Sequence, residues 1–245
     1  MLERLALDQL LRDFDLYTCL HDHQFGFRPQ RSTVQVMTLA VNDWTLARDV
    51  GHTTVVAFID LSKAFDRVVH QELIFTLHSL GIHSSALKWF ASYLNGRHQR
   101  VCIASGTSSL LPVTRGVPQG TILGPTLFNL YVRLLPDLAA GSGAKLLMFA
   151  DDKTLYASSR DPIVCADVVS SALAKLHNEL RSLGMSVNVD KTVVMRILPK
   201  NAPDVQRPVL VELGGTTLRE VSVIRCLGIL IDNKLSFVPH VDHLT

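Results

Sequence analysis

Two apolar runs, far apart in this chain, both end in aspartate: Val55-Val56-Ala57-Phe58-Ile59-Asp60 and Phe149-Ala150-Asp151-Asp152. Each reads as a buried strand, and a sheet that pairs the two would collect three carboxylates at one end. Such a concentration of negative charge is costly unless a cation offsets it, and carboxylate oxygens are the ligands Mg²⁺ prefers. A pair of such ions drives phosphoryl and nucleotidyl transfer. An isolated Asp-Asp is more simply a polar turn, because Asp favours turns. The second acid-ended strand shifts the reading towards chemistry.

Composition narrows the setting. With 245 residues and 47% hydrophobic content, the chain can bury a real core. Charged residues amount to 19% and the formal net charge is +2, so nucleic-acid binding would need a local groove rather than overall charge. Cys19, Cys102, Cys165 and Cys226 are scattered and form no C-x-x-C pair, which argues against a zinc ribbon or disulfide scaffold and fits an intracellular setting. No basic-then-apolar secretory signal opens the chain. The longest mostly apolar stretch, 121–140, is interrupted by Pro125, Arg133, Pro136 and Asp137, a poor pattern for a membrane span.

Periodicity predicts a helix through Leu2, Leu5, Leu10, Leu11 and Phe14, then a capped second one through Val34, Met37, Val41 and Trp44, preceded by Arg31-Ser32-Thr33 and closing near Gly51. Residues 53–60 read as a strand buried on both faces. Helices over 69–80 and 85–94, a hairpin over 99–113, a helix over 123–135, a tight hairpin with the acids at its turn, a helix over 163–183 and short strands near 187, 193–198 and 226–231 follow. This order predicts an α+β fold built on a split β-α-β, ferredoxin-like sheet, with 199–208 as a linker around Pro203. The predicted divisions are 1–52, 53–198 and 199–245.

In order and spacing, "HQFGFRPQRST", "VVAFIDLSKAFDRV", "RGVPQGTILGPTLFNLY", "FADD", "LGMSVNVDKTVVM" and "CLGILID" resemble the successive motifs of the reverse transcriptases of non-LTR (LINE-type) retrotransposons. The resemblance implies a right-hand polymerase with partial fingers over 1–52, a palm over 53–198 and a primer-grip-like β segment over 199–245, its thumb lying beyond this piece of a polyprotein. It implies RNA-templated addition of deoxynucleotides to a DNA primer, with two Mg²⁺ (or Mn²⁺) ions as cofactors and no membrane partner. Asp60 and Asp151 match the bridging ligands and Asp152 belongs to the same motif. Asp66 is open between helix N-cap and metal binding.

The same resemblance assigns Phe65 as an aromatic beneath the incoming sugar, excluding a 2′ hydroxyl. It assigns Arg28 to the triphosphate, Gln119 and Gly120 to the nucleotide or template, and Lys191 to the departing pyrophosphate. Read without it, Phe65 is a core residue, and Arg28 and Lys191 are solvated surface. Cys226-Leu227-Gly228 reads either as a primer grip or as an edge strand. The His21/His23 and His240/His243 pairs lack further ligands and read as surface; Trp44 and Trp89 read as core. Two rivals stand beside the polymerase: an RNA-dependent RNA polymerase, disfavoured by Phe65 and the Phe-Ala-Asp-Asp turn, and a non-catalytic nucleic-acid-binding remnant.

Overall fold

The computed structural model describes residues 1–13, 16–200, 202 and 208–244. Helix α1 (Leu2–Asp13) precedes α2 (Thr33–Asp49), strand β1 (Thr53–Ile59), a 3-10 turn at Phe65–Arg67, α3 (His70–Ser79) and α4 (Ser84–Leu94). Short strands β2 (His98–Gln99), β3 (Cys102–Ile103), β4 (Gly106–Thr107) and β5 (Leu111–Pro112) lead to α5 (Gly124–Tyr131) and α6 (Leu135–Ala140). Then come β6 (Lys145–Phe149), β7 (Asp152–Ser159), α7 (Pro162–Ser182) and β8 (Val193–Ile197). Strands β9 (Glu212–Leu213), β10 (Thr216–Thr217), β11 (Arg219–Glu220), β12 (Val223–Cys226) and β13 (Ile229–Asp232) and helix α8 (Val238–Leu244) follow. The predicted linker falls largely on residues outside those described, as does Phe14.

These elements form two compact units. A sheet unit takes residues 21–62, 133–182 and 186–245; a helical unit takes 1–20, 63–132 and 183–185.

In the sheet unit the strand order is β11-β8-β1-β7-β6. Strand β1 runs antiparallel to both β7 and β8, β6 antiparallel to β7, and β11 parallel to β8. The four long strands reproduce the predicted ferredoxin-like arrangement, with β11 added at one edge. Every residue of β1 is buried, because the sheet is covered on both faces. Side chains alternate across a strand, so Val56 and Phe58 join Met37, Ala40 and Trp44 of α2 in one core. The other face is covered by α7, whose Cys165 thiol donates to the Ala157 carbonyl at 2.9 Å. Helix α2 starts where the sequence predicts: the Ser32 hydroxyl accepts from Gln35 N–H at 3.3 Å and the Gln35 side chain accepts from Ser32 N–H at 2.9 Å, a capping box.

Three local readings change. The helix expected over 123–135 stops at Tyr131, and a separate helix, α6, begins at Leu135 with Pro136 in its first turn, where the missing N–H is tolerated but cannot continue α5. The strand expected near Val187 is a single bridge to Leu61. The run from Cys226 to Ile231 is a hairpin between β12 and β13, its chain reversed at Leu227 (φ 48°) and Gly228 (φ 87°).

Asp232 closes that hairpin. Its carboxylate, in a side chain only 5% exposed, accepts from the N–H groups of Lys234 (3.0 Å), Ser236 (3.1 Å) and Phe237 (2.7 Å) and from the Ser236 hydroxyl (3.1 Å). Burial pushes the carboxyl up, but the hydrogen bonds from Ser236, Phe237 and Lys234 outweigh it and hold the carboxyl below its ordinary range. A depressed native pKa contributes stability that is present above the unfolded value, near about 3.9, and is lost as pH falls through the lower native value. Asp232→Ala should therefore cost about 1–3 kcal/mol at neutral pH, with the gap to wild type closing below about pH 4. Urea unfolding at neutral and acid pH checks this; an unchanged gap in acid would show that the loss is packing alone.

The helical unit is tied by a long-range cap. Glu3 in α1 accepts from the Ile122 and Leu123 N–H groups at 2.9 and 3.3 Å, at the start of α5, where the helix dipole favours an anion. At the other end of α5 the Tyr131 hydroxyl donates to the Leu183 carbonyl at 2.7 Å and accepts from Val69 N–H at 3.3 Å. Trp89 is half-buried, not core: it stacks on Tyr93 with centroids 5.6 Å apart. Trp44 in the sheet unit is core as expected, at 0% exposed.

Candidate active site

The last pair of the β1–β7 ladder is Ile59 with Lys153. Carried one residue further, that register sets Asp60 beside Asp152, while Asp151 occupies the two-residue turn between β6 and β7. The three acids predicted from two distant motifs thus share one end of the sheet. Asp152 shows the consequence: partial burial, then the charge of Asp151 and, after Lys153 has opposed them, that of Asp60 raise its carboxyl above the ordinary range.

Asp60 is held by its backbone. Its N–H donates to the Thr192 hydroxyl at 3.3 Å and its carbonyl accepts from Asn188 N–H at 2.8 Å. The Thr192 hydroxyl, in a residue 1% exposed, in turn donates a hydrogen bond to the Asn188 carbonyl at 2.8 Å. The Asn188-Val189-Asp190-Lys191-Thr192 turn is therefore stitched onto the first acid. Sequence reading chose Lys191 from this turn and missed Asn188 and Thr192. The signal was there, since a Thr that opens a buried strand must place its hydroxyl somewhere. Lys191 itself is exposed.

The Asp151 turn is held from two sides. Residues 23–25 run parallel to β6, with Met148 N–H donating to the His23 carbonyl and Phe25 N–H to the Met148 carbonyl, both at 2.8 Å. This ribbon delivers Gly26 onto the turn: a Cβ there would stand 2.3 Å from the Ala150 nitrogen. Only glycine permits that approach. Arg28 braces the ribbon by donating to the His21 and Gln24 carbonyls at 3.0 and 3.2 Å. His23 is half-buried rather than surface, and burial, aided by the charge of His21, lowers its pKa to about 4. From within the unit, Lys153, 2% exposed, donates to the carbonyls of Asp151 (3.2 Å) and Ala150 (3.5 Å). Burial lowers its ammonium to about 8 against the pull of Asp151 and Asp152. Gly26 lies in the HQFGFRPQRST motif, where only Arg28 was given a role, and none of the six motifs includes Lys153.

The helical unit gathers Phe65, Asp66, Gly116 and Gln119. Gly116, at φ 90°, lies so close to the Phe65–Asp66 turn that a Cβ would meet the Asp66 Cα at 2.8 Å. Gly116 N–H donates to the Val68 carbonyl at 2.7 Å and Val117 N–H to the Phe65 carbonyl at 2.9 Å. The Phe65 ring stacks on buried Phe128 with centroids 4.4 Å apart at 15°. Asp66 caps no helix: α3 starts after Val69, and the Asp66 carboxylate accepts from the Gln119 side chain at 3.3 Å. Gly120 is exposed with φ 76° and open space where a Cβ would be.

Among the described residues, no three His, Cys, Asp or Glu side chains form a ready-made ion-binding group. The acids fit one in chemistry: all are oxygen ligands, and the raised Asp152 registers charge that a cation would relieve. Among the described residues, no helix is long and apolar enough to cross a membrane. Cys19, Cys102, Cys165 and Cys226 are all free thiols.

A family profile described as reverse transcriptase (RNA-dependent DNA polymerase) matches residues 2–231. The RNA-directed DNA polymerase from mobile element jockey of Drosophila melanogaster is 27% identical, aligned over 100% of this chain and 27% of its own length. The probable RNA-directed DNA polymerase from transposon BS of the same species is 32% identical over 99% of this chain, again 27% of its own. The chain thus spans about a quarter of the length of these curated relatives. Among solved structures, apo telomerase from Candida tropicalis shares the fold with a TM-score of 0.57 at 15% identity, covering 96% of this chain and 43% of that one. Candida albicans telomerase follows at 0.55 and 17%, covering 96% and 36%.

Proposed function

We propose that this chain, which belongs to the reverse transcriptase (RNA-dependent DNA polymerase) family, adds deoxynucleotides to a DNA primer 3′ end under the direction of an RNA template. The relatives include RNA-directed DNA polymerases of mobile element jockey, transposon BS and the transposon X-element, and the same reaction is the reading this chain supports best. One observation carries it: the β1–β7 register sets Asp60 beside Asp152 and puts Asp151 at the adjoining turn.

The family uses divalent metal ions. When bound, two Mg²⁺ or Mn²⁺ ions supply activation of the primer hydroxyl and neutralisation of the charge that develops on the triphosphate. Asp60 and Asp151 would hold them, with Asp152 as an adjunct. The chain's other contributions are positional. Asn188 and Thr192 fix the Asp60 backbone, and Gly26 and Lys153 fix the Asp151 turn. Arg28 supplies a cation for the triphosphate and Lys191 one for the departing pyrophosphate. Gln119 and Gly120 serve the nucleotide or template, Gly120 because its bare backbone leaves room for close approach.

Primer extension on poly-rA with Mg²⁺ and deoxynucleotides tests the assignment. Extension by wild type and none by an Asp60→Asn, Asp151→Asn double variant is the expected result. Persistent extension by the double variant would overturn it.

Phe65 is the proposed gate against ribonucleotides. Its place shortly after Asp60 matches the family's sugar-facing aromatic, and its stacking on Phe128 gives the ring little freedom to yield. Phe65→Ala should raise kcat/KM for ribonucleotides relative to deoxynucleotides by about 10-fold or more, the range that one steric contact supplies. An unchanged ratio would reduce Phe65 to a packing residue.

A further inference from the structure

We propose that Lys153 is a positioning residue whose buried ammonium is the resident counter-charge of the acidic turn, holding the Ala150 and Asp151 carbonyls and offsetting the carboxylates before any divalent ion arrives. The proposal rests on reading Asp60, Asp151 and Asp152 as the ion-binding acids.

The position gives a lysine no packing reason to be there. In register, Lys153 lies between two apolar partners, Ile59 on β1 and Met148 on β6, and it is 2% exposed. An apolar side chain of similar length would fill such a site at least as well, since a buried charge costs more than it returns unless partners surround it. The partners here are two carbonyls of the turn, at 3.2 and 3.5 Å, and the adjacent acids, which act on it attractively. The same turn needs support. Ala150 is at φ 58°, a conformation unfavourable for a residue with a Cβ, and Gly26 leaves it no slack on the other side. Repulsion among three acids would open a two-residue turn pinned only by sterics. A cation bound to the carbonyls of Ala150 and Asp151 answers both demands at once.

The test is thermal unfolding of the whole chain in EDTA and in millimolar Mg²⁺ for wild type, Lys153→Met, Asp152→Asn and the double variant. Methionine keeps the stem and removes the charge. If Lys153 is the counter-charge, Mg²⁺ should raise the midpoint of Lys153→Met at least twice as far as that of wild type, because the ions then relieve repulsion that lysine no longer offsets. In the Asp152→Asn background, with one of the carboxylates gone, the same lysine change should widen the Mg²⁺ response by less than it does in wild type. A residue that only fills space would shift both conditions equally, so equal Mg²⁺ responses in wild type and Lys153→Met overturn the Lys153 role alone. A wild type indifferent to Mg²⁺ would overturn the ion-site reading and this proposal with it. Should Lys153→Met fail to fold in EDTA, recovery by added Asp152→Asn supports the counter-charge, and no recovery overturns it.

Discussion

Asp151→Asn should reduce primer extension by about 10³-fold or more while the chain remains folded, a loss of about 4 kcal/mol in transition-state stabilisation. The change deletes one charge at constant volume, at an exposed turn residue, so the fold loses no packing. The turn keeps its backbone contacts: Lys153 still donates to the Ala150 and Asp151 carbonyls, and Gly26 still packs on the Ala150 backbone. Relief of repulsion should leave the thermal midpoint unchanged or slightly higher in EDTA. Steady-state extension kinetics beside a thermal melt separate the two quantities. Lost activity with an unfolded chain would instead assign Asp151 a structural part.

Trp44→Ala should cost about 3–5 kcal/mol, the range for truncating a fully buried aromatic, against a total domain stability of about 5–15 kcal/mol. Trp44 is 0% exposed and meets Phe58 and Tyr156 edge-on, at 6.4 and 5.8 Å between centroids. It joins α2 to the strand that leads to Asp60 and the strand that begins at Asp152, so its loss should loosen the acids as well. The Tyr156 hydroxyl and the Lys145 ammonium, both donating to Asp43 at 2.6 Å, cannot refill the cavity. Urea unfolding gives the number. Trp89→Ala, at a half-buried ring in the helical unit, should cost less than half as much; equal costs would contradict the assignment of Trp44 to the core.

Much of the sheet unit was legible because its signals are local. Val55 to Ile59 are β-branched or apolar throughout, the pattern of a strand covered on both faces, and the polar Arg31-Ser32-Thr33 segment marks the start of the next apolar helical stripe, α2. The acids were legible for a similar reason: carboxylates at the ends of apolar strands have no packing explanation. Trp89 was misread because an apolar helical stripe shows which residues face together, not how fully a neighbour covers them. The helix expected over 123–135 ends early, at Tyr131, and Pro136, which opens the next helix, lies just beyond the expected span.

What the sequence alone determined is the chemistry: which residues can carry charge at a strand end, and, through six ordered motifs, which family the chain belongs to. What only the tertiary structure decided is how that chemistry is held in place. Thr192 reaches the Asp60 backbone across 132 positions of chain, Gly26 meets the Ala150 nitrogen, and Lys153 curls back onto two carbonyls. Each of these contacts ends on a backbone atom, which every residue carries, so the sequence does not say which partner it will meet. Their partners are set by strand register and chain crossing, quantities that exist only once the sheet has formed.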